Sequence, residues 1–126
     1  MATRFFVCEH CGNMIAVVKD AKVPMMCCGQ KMTELIPGTT DAAVEKHVPT
    51  FEVKDGKVFV QVGEVIHPMV DAHYIEWIFI ETDKGTQMKK LAPGQEPKAV
   101  FAICEDEKVE AVYAYCNLHG LWKKEA

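Results

Sequence analysis

The sequence lacks a long apolar run, a basic block and an internal repeat. Its 126 residues are 49% hydrophobic, yet no uninterrupted apolar segment approaches the roughly 20 residues that a membrane helix requires. Acidic residues outnumber lysine and arginine, 18 to 14. Nucleic acid is therefore not expected as a partner, because no cluster of cations is available to displace counterions from phosphates. The composition also excludes disordered, collagen-like and repeat proteins.

The N-terminal segment lacks the pattern of a secretory signal. It reads MATRFFVCEHC, with cysteine and glutamate where a signal peptide keeps an unbroken apolar stretch. We therefore expect a cytoplasmic protein with no membrane partner. Disulfides do not persist in a reducing cytoplasm, so the six cysteines favour metal ligands or redox groups over a covalent framework. Two disulfides in an exported small domain are the alternative, which has no export signal to support it.

Cysteine and histidine occupy different parts of the chain. Four of the six cysteines lie in residues 1–36, whereas four of the five histidines lie beyond them, which predicts two separate sites. Residues 1–36 alternate short apolar runs with turn residues and are predicted to form small hairpins with cysteines at their tips. Because so small a domain has almost no core, a bound metal ion would supply much of its folding free energy. Residues 36–40 are the predicted linker, which gives two domains, 1–36 and 37–126.

The second domain has the pattern of an antiparallel, immunoglobulin-like β-sandwich, so the whole chain is predicted to be all-β. A helical turn is expected at 41–46, and Asp55-Gly56 between β-branched runs predicts a hairpin. Short strands at a spacing of about 8 to 12 residues are typical of a sandwich. We predict strands at 51–54, 57–63, 74–81, 86–91, 99–104 and 109–115. In the third of these, Ile75 is expected to share a face with Trp77 and Phe79, and the strand is expected to be covered on both sides.

The spacing of the first four cysteines predicts a metal site built on two turns. Two residues separate Cys8 from Cys11, whereas Cys27 and Cys28 are adjacent. Four sulfur ligands suit tetrahedral iron or zinc, and the ligands alone do not distinguish these metals. Side chains of neighbouring residues in extended backbone point to opposite faces. Cys27 and Cys28 can therefore share an ion only if the backbone turns sharply, which Gly29 permits; a disulfide between them is the alternative.

A second group of candidate ligands lies at the ends of the predicted elements. It consists of His47, His67, His73, Cys116 and His119. A single histidine is usually a solvated or core residue, but the loops of a sandwich gather at its two poles, where residues distant in sequence can meet. Histidines with one thiolate suit a redox metal better than structural zinc, which closes at four ligands. Five ligands leave one octahedral position vacant for a small substrate.

Taken together, these motifs resemble the desulfoferrodoxin family, the two-iron form of superoxide reductase. The resemblance spans nearly the whole chain, in the family's order, and leaves out His10 and Cys104. It is carried by Cys8-x-x-Cys11, Cys27-Cys28, Glu45-Lys46-His47-Val48-Pro49, His67-Pro68-Met69, His73-Tyr74-Ile75-Glu76-Trp77 and Tyr115-Cys116-Asn117-Leu118-His119-Gly120.

The resemblance implies two iron ions in each chain. Cys8, Cys11, Cys27 and Cys28 would hold a rubredoxin-like iron in a desulforedoxin-like domain. His47, His67, His73 and His119 would form an equatorial square around the second iron, with Cys116 as its axial ligand. The resemblance further implies one-electron reduction of superoxide to hydrogen peroxide at the open axial face. A small electron donor such as rubredoxin would restore the ferrous iron, and the protein would be a homodimer.

Lys46 and Glu45 are the predicted catalytic residues. The formal net charge is −4, so an anionic substrate requires a local positive charge. Lys46, which neighbours His47, would steer superoxide and orient a proton-donating water. The resemblance implies that Glu45 can occupy the vacant position of the oxidised iron; without it, both residues would be ordinary solvent-facing charges. Elsewhere, we predict a buried thiol at Cys104. For Trp122 we predict core packing, with shielding of the histidine site as the alternative.

Two other functions remain open at this stage. A blue-copper electron-transfer protein is also a β-sandwich with cysteine and histidine near its C-terminus. However, no methionine follows His119 to serve as axial ligand, and that class does not use a four-cysteine domain. A zinc-ribbon interaction module would explain residues 1–36 alone. Metal analysis separates the three hypotheses, which require two irons, one copper or one zinc.

Overall fold

The computed structural model describes residues 2–39 and 42–126. The chain divides into two compact units, Met1–Ile36 and Pro37–Ala126, which we call the N-terminal and C-terminal units. In the described residues, nearly all regular structure is β-strand, with one short helix, so the all-β prediction is confirmed. Among the described residues, no helix combines the length and apolarity needed to span a membrane.

The N-terminal unit contains five short strands. They are β1 (Phe5–Val7), β2 (Met14–Ala16), β3 (Met26–Cys27), β4 (Gln30–Lys31) and β5 (Thr33–Leu35). Strand β1 is the centre of an antiparallel sheet in the order β2-β1-β5, and β3-β4 form a separate hairpin. Arg4 ties distant parts of this unit together by donating from Nε and Nη2 to Glu34, at 2.8 and 2.7 Å, and from Nη1 to Asp20 at 2.6 Å.

The C-terminal unit is a sandwich of two antiparallel sheets. Its elements are α1 (Val44–His47), β6 (Pro49–Lys54), β7 (Lys57–Val62), β8 (Ile75–Thr82), β9 (Thr86–Lys90), β10 (Lys98–Ala102), β11 (Val109–Cys116) and β12 (Gly120–Glu125). One sheet has the order β10-β7-β6 and the other the order β12-β11-β8-β9. The core contains side chains from both sheets, including Val58, Val60 and Val62 from β7 and Ile78 and Ile80 from β8.

The β6–β7 hairpin forms as the sequence predicts. Asp55 and Gly56 connect the strands with φ angles of 52° and 73°, and positive φ at both central residues matches the right-handed twist of a two-residue hairpin. The valines of β7 alternate with exposed or half-buried residues. This period of two is the physical basis of the predicted core face.

Strand β12 was missed by the sequence analysis, which placed Cys116 and His119 after the last strand. In the structure Cys116 ends β11, and β12 pairs with β11 from Ala111↔Glu125 to Cys116↔Gly120. Only Leu121 and Trp122 of the strand are buried, so it carries no clear alternation of apolar and polar residues. Cys116 and His119 therefore lie on a tight connection between two strands, which restricts their positions more than a free tail would.

A register shift near the start of β8 contradicts the predicted face of Ile75. Tyr115 pairs with Trp77, but Cys116 pairs with Ile75, so Glu76 is an extra residue in β8. Such a bulge reverses the side-chain alternation, and Ile75 packs in the core together with Cys116. The predicted burial of both faces of β8 is confirmed, because Ile78 is 0% and Trp77 only 8% exposed.

The helical turn and the burial of Cys104 are two further predictions about local structure. The helical turn expected at 41–46 is the single turn α1, Val44–His47; Asp41, like Thr40 of the predicted linker, lies outside the described residues. The prediction that Cys104 is buried is wrong, since its side chain is exposed. The residue follows β10 in a turn where its backbone N–H donates to Glu107 at 3.0 Å, which leaves the thiol at the surface.

Candidate metal centres

Two turns of the N-terminal unit hold the four cysteines that we call the cysteine centre, Cys8, Cys11, Cys27 and Cys28. In the first turn, the Gly12 N–H donates to the Cys8 carbonyl at 2.9 Å, and φ of Gly12 is 82°. The turn directs backbone amides at sulfur. The Cys11 N–H donates to Cys8 Sγ at 3.5 Å and the Asn13 N–H donates to Cys11 Sγ at 3.4 Å.

The adjacent cysteines lie where the chain reverses between β3 and β4. Cys27 pairs with Gln30, and the two residues between them, Cys28 and Gly29, have φ angles of 53° and 73°. This is the sharp turn that the sequence analysis required, although Cys28 as well as Gly29 has a positive φ. The Sγ atoms of Cys27 and Cys28 are 4.0 Å apart and all described cysteines are free, so the alternative of a disulfide between them is excluded.

The sulfur atoms of the cysteine centre have the spacing of metal ligands. Cys11 Sγ lies 3.5 Å from Cys27 Sγ, and the four sulfurs lie within 4.8 Å of one another. Four sulfurs about 2.3 Å from one ion in a tetrahedron would be about 3.8 Å apart. A hydrogen bond from the Cys11 amide lowers the pKa of Cys8 to about 6, whereas the proximity of Cys11 raises the pKa of Cys28 to about 12. Four thiolates therefore require a cation between them.

One end of the C-terminal sandwich carries a second cluster, His47, His67, His73, Cys116 and His119, which we call the histidine centre. His47 is the last residue of α1 and Cys116 the last residue of β11. The other three histidines lie in the connections that precede β8 and β12. The metal-binding atoms of His47, His67, His73 and Cys116 lie within 4.8 Å of one another, and His119 Nδ1 is 3.9 Å from Cys116 Sγ.

The four imidazoles follow one another around a ring, in the order of their residue numbers. Neighbouring centroids are separated by 4.6, 4.6, 5.0 and 4.8 Å, and the planes of neighbours are inclined by 77° to 89°. The opposite pair, His47 and His73, is 6.2 Å apart with only 28° between planes. Imidazoles arranged in this way direct one nitrogen each towards a common centre.

Hydrogen bonds determine which nitrogen of each ring faces the centre. His47 Nδ1 lies 2.7 Å from the Ala43 carbonyl and His67 Nδ1 lies 2.7 Å from the Pro68 carbonyl, so both rings must carry their hydrogen on Nδ1. Their Nε2 atoms are then unprotonated, yet they lie 3.1 Å apart. Two lone pairs at this distance repel each other unless a cation lies between them.

An unsatisfied atom supports the same conclusion. Of the buried side-chain nitrogen and oxygen atoms in the described part of the chain, only Nε2 of His73 has no hydrogen-bond partner. Burial also lowers the pKa of His47, His67 and His73, that of His67 to about 4. These imidazoles are uncharged at neutral pH, which is the state that binds a metal ion.

The sulfur of the histidine centre is the most enclosed of its candidate ligands. Cys116 is 0% exposed, and its burial raises the pKa of the thiol, although backbone amides of Leu118 and His119 donate to it and act in the opposite direction. Ionisation of a thiol in this position requires a compensating positive charge. His73 and His119, in contrast, are half-buried, so solvent reaches the centre on their side.

Lys46 and Glu45 are exposed residues of α1. The charge of Lys46 lowers the pKa of both His47 and His73, whereas the charge of Glu45 acts in the opposite direction on His47. Lys46 thus contributes positive potential at two of the four imidazoles. The backbone of Lys46 packs closely against Gly63, since a Cβ atom at Gly63 would lie 2.6 Å from the Lys46 carbonyl oxygen.

Two residues that are not candidate ligands, Trp122 and Asn117, help to form the histidine centre. Trp122, for which we predicted a core packing role, stacks on His47 and donates from Nε1 to the His119 carbonyl at 2.9 Å. Asn117 bridges two loops of the centre, donating to the Ala72 carbonyl and accepting from the Tyr74 amide. The signal in the sequence is their position beside the candidate ligands. It suggested shielding by Trp122 as an alternative to packing, and it suggested no role for Asn117.

An all-β chain with a cluster of four cysteines and a separate cluster of imidazoles and one thiolate belongs to the class of metalloproteins with two mononuclear centres. The family model of desulfoferrodoxin matches residues 39–125. A desulfoferrodoxin homolog from Archaeoglobus fulgidus is 48% identical over 118 residues, which cover 94% of this chain and 93% of the relative. The chain belongs to the desulfoferrodoxin family.

Other similar proteins carry the name superoxide reductase. The crystal structure of the superoxide reductase from Treponema pallidum matches with a TM-score of 0.84 and 36% identity, covering 99% of this chain and 100% of the other. A superoxide reductase from Thermococcus kodakarensis is 39% identical over 99 residues, which cover 64% of this chain and 85% of the relative. The similarity thus extends to proteins named for an activity on superoxide.

Proposed function

We propose that this protein is a superoxide reductase that binds two iron ions and reduces superoxide to hydrogen peroxide at the histidine centre. The observation that carries the proposal is the convergence of four imidazoles and one thiolate at one end of the sandwich, with two unprotonated nitrogens 3.1 Å apart and a third without a partner. Proteins of high similarity named superoxide reductase support the choice of substrate.

The donor set of the histidine centre fits iron. His47, His67 and His73 present Nε2, His119 presents Nδ1, and Cys116 presents its thiolate sulfur. Nitrogen and sulfur donors in this number exceed the four of a structural zinc site and suit a redox metal. Bound ferrous iron would supply one electron for each superoxide, and two protons complete the conversion to hydrogen peroxide.

The side chains around the centre determine its net charge. Uncharged imidazoles add no negative charge, so the single thiolate is the only anionic candidate ligand. A cation bound there keeps a positive charge that attracts an anion, and the exposed Lys46 adds to that attraction. We assign to Lys46 the steering of superoxide and the orientation of a water that donates a proton. Glu45, on the same turn, would be the carboxylate that occupies the open position after oxidation.

The cysteine centre has a separate role in this proposal. Cys8, Cys11, Cys27 and Cys28 hold an iron that stabilises residues 1–36 as a domain, since the captured metal supplies folding free energy that so few apolar residues cannot. The same iron can accept and donate one electron. We propose that it stabilises the domain or relays electrons from a donor, and that superoxide itself reacts only at the histidine centre of domain 37–126.

The remaining parts of the proposal concern partners and location. A small protein such as rubredoxin would supply electrons, because each reduction of superoxide consumes one. A homodimer is proposed from the resemblance and because a small domain gains stability by packing against further surface. A cytoplasmic location suits six free cysteines, which persist in a reducing compartment.

Anaerobic stopped-flow mixing of the reduced protein with superoxide tests the function. We expect one hydrogen peroxide for each superoxide consumed, no release of dioxygen, and two irons per chain by metal analysis. Formation of dioxygen would indicate dismutation instead, and a single copper or zinc per chain would support the blue-copper or zinc-ribbon alternatives. A protein that holds two irons but does not react with superoxide would contradict the proposed activity.

A further inference from the structure

The four imidazoles of the histidine centre are held in two different ways. His47 and His67 each donate from Nδ1 to a backbone carbonyl 2.7 Å away, so a hydrogen bond of the ring itself fixes its orientation. His73 differs from both. Its Nε2 has no partner among the described residues, and no hydrogen bond described for this part of the chain involves its Nδ1. The direction of the His73 side chain is therefore set by its backbone and by the neighbouring rings of His67 and His119, without a hydrogen bond of its own ring.

The side chain of Asn117 binds the backbone on both sides of His73. Its Nδ2 donates to the carbonyl of Ala72 at 3.1 Å, and its Oδ1 accepts from the N–H of Tyr74 at 2.9 Å. The Asn117 N–H also donates to the Tyr74 carbonyl at 3.2 Å. One residue thus makes three hydrogen bonds to a segment 43 to 45 positions away in sequence.

The position of Asn117 connects this segment to the rest of the histidine centre. It directly follows Cys116 and lies on the short connection to His119. A second constraint acts on His73 from the other direction, because its N–H and carbonyl exchange hydrogen bonds of 3.0 Å with Val70. This tight turn fixes the shape of the His73 loop but not its distance from Cys116. The pairing of Ile75 with Cys116 in the β8–β11 ladder sets that distance at the strand ends, and the Asn117 bonds extend the constraint to the residues that flank His73.

We propose that Asn117 is a positioning residue that holds His73 at the correct distance from Cys116 and His119. The inference rests on the proposed function, since it assumes that the histidine centre binds a metal ion. It goes further by assigning a task to a residue that contacts no ligand atom. His47 and His67 are oriented by their own rings, whereas His73 depends on an amide side chain from the neighbouring loop.

The chemistry of asparagine explains why this residue type stands here. The task requires one donor and one acceptor on the same planar group, for a carbonyl and an N–H that flank one residue. Aspartate retains the acceptor but places a second negatively charged oxygen against the Ala72 carbonyl. Alanine removes both bonds. The series from asparagine to aspartate to alanine should therefore weaken the hold on His73 in two steps.

The test uses the full chain, freed of metal and titrated with Co²⁺. Coordinated imidazoles give hyperfine-shifted resonances in the proton NMR spectrum, which arise only from the histidine centre, and the thiolate absorption of the cysteine centre is an internal reference for loading. In Asn117→Ala we expect the His73 resonances to broaden or disappear, while those of His47 and His67 persist. We expect Co²⁺ affinity at this centre to fall about 10- to 100-fold, with a smaller loss in Asn117→Asp.

Asp83→Ala is the matched control. Asp83 Oδ1 accepts from the Lys108 N–H at 2.8 Å and so also joins two loops. Asp83 follows the end of β8 that is remote from the histidine centre, and the eight residues of this strand separate its two ends by about 26 Å. This variant should lose stability without changing the Co²⁺ spectrum of the histidine centre. If Asn117→Ala does not fold, Asn117→Asp provides the same comparison.

The outcomes separate this inference from the proposed function. Wild-type protein that binds no Co²⁺ through imidazoles would overturn the proposed function and the inference with it. A second outcome would overturn the inference alone. In it, the wild-type protein binds Co²⁺ through imidazoles, and both Asn117 variants keep the wild-type affinity and the His73 resonances. An equal loss of the resonances of all four imidazoles would also overturn it, because it would indicate that Asn117 supports the whole fold of this end rather than the placement of His73.

Discussion

The indole ring of Trp122 stacks on the imidazole of His47, with ring centroids 5.1 Å apart and 30° between the planes. The same side chain donates from Nε1 to the carbonyl of His119 at 2.9 Å. Trp122 is only 3% exposed, so one rigid ring joins the imidazole of His47 to the backbone of His119. Strand β12, which sequence analysis missed, thereby takes part in forming that centre.

This relationship predicts the effect of replacing Trp122. In Trp122→Phe, the aromatic contact is retained but the partly buried His119 carbonyl loses its donor, so we expect a loss of about 1 kcal/mol in the free energy of unfolding. In Trp122→Leu, the stacking is lost as well, and metal release from the histidine centre should be faster than in Trp122→Phe. Urea unfolding and chelator competition measure the two effects. Equal release rates in both variants would show that the stacking on His47 does not contribute to metal retention.

Lys46 is predicted to accelerate the encounter with superoxide. Removal of its charge in Lys46→Met should slow the second-order reaction by about tenfold and flatten its dependence on ionic strength, because steering by a nearby cation is screened by salt. Stopped-flow measurements at several salt concentrations provide the rates. Lys84→Met, which removes the same charge from the exposed turn between β8 and β9, is the control and should retain the wild-type rate. A normal rate for Lys46→Met would exclude Lys46 from the mechanism.

The cysteine centre is predicted to be dispensable for the reaction with superoxide. Cys28→Ser removes one of four sulfurs, so the variant should lose the iron of residues 1–36 while the histidine centre retains its iron. Stopped-flow reduction of superoxide should then proceed at nearly the wild-type rate when the protein is reduced chemically. Complete loss of activity in a variant that still contains the histidine-centre iron would contradict this separation of roles.

Gly63 is predicted to be essential for the position of the turn that carries Lys46 and His47. Its φ of 84° disfavours any side chain, and a Cβ atom would lie 2.4 Å from the Val65 carbonyl oxygen and 2.6 Å from that of Lys46. We expect Gly63→Ala to lower the free energy of unfolding by more than the 1–3 kcal/mol of backbone strain alone.

A second glycine isolates the cost of this contact. Gly94 has a similar φ, 88°, but nothing lies within 4 Å of its Cβ position. Gly94→Ala should therefore show the strain without the collision, and the difference between the two variants in urea unfolding measures the contact with the Lys46 backbone. If both variants lose the same stability, the turn can move aside without cost.

Much of the site was accessible from the sequence because metal ligands are recognisable by residue type and spacing. Cys8 and Cys11 on one turn, and Cys27 beside Cys28, define a set of four sulfurs whatever the path between them. The sharp reversal at Cys28 followed from geometry alone, since extended backbone would separate the two sulfurs. The valines of β7 likewise revealed one face of the core through their period of two.

Other features depended on contacts between residues far apart in sequence. Ile75 packs in the core because a bulge at Glu76 reverses the alternation, and no local pattern marks a bulge. Cys104, which we predicted to be buried, is exposed because its turn forms on Glu107. Strand β12 forms because β11 has a second edge, opposite β8, with which it can pair; its own residues do not alternate.

The sequence by itself determined which atoms are available to hold metal ions, because cysteine and histidine are chemically distinctive and their order along the chain survives in any fold. Only the tertiary structure decided how those atoms are arranged. The order of the four imidazoles, the ring nitrogen that each presents, and the bonds from Asn117 to the His73 loop all depend on hydrogen bonds and packing between segments tens of residues apart. Such contacts form only when the two sheets assemble, and no local pattern encodes their geometry.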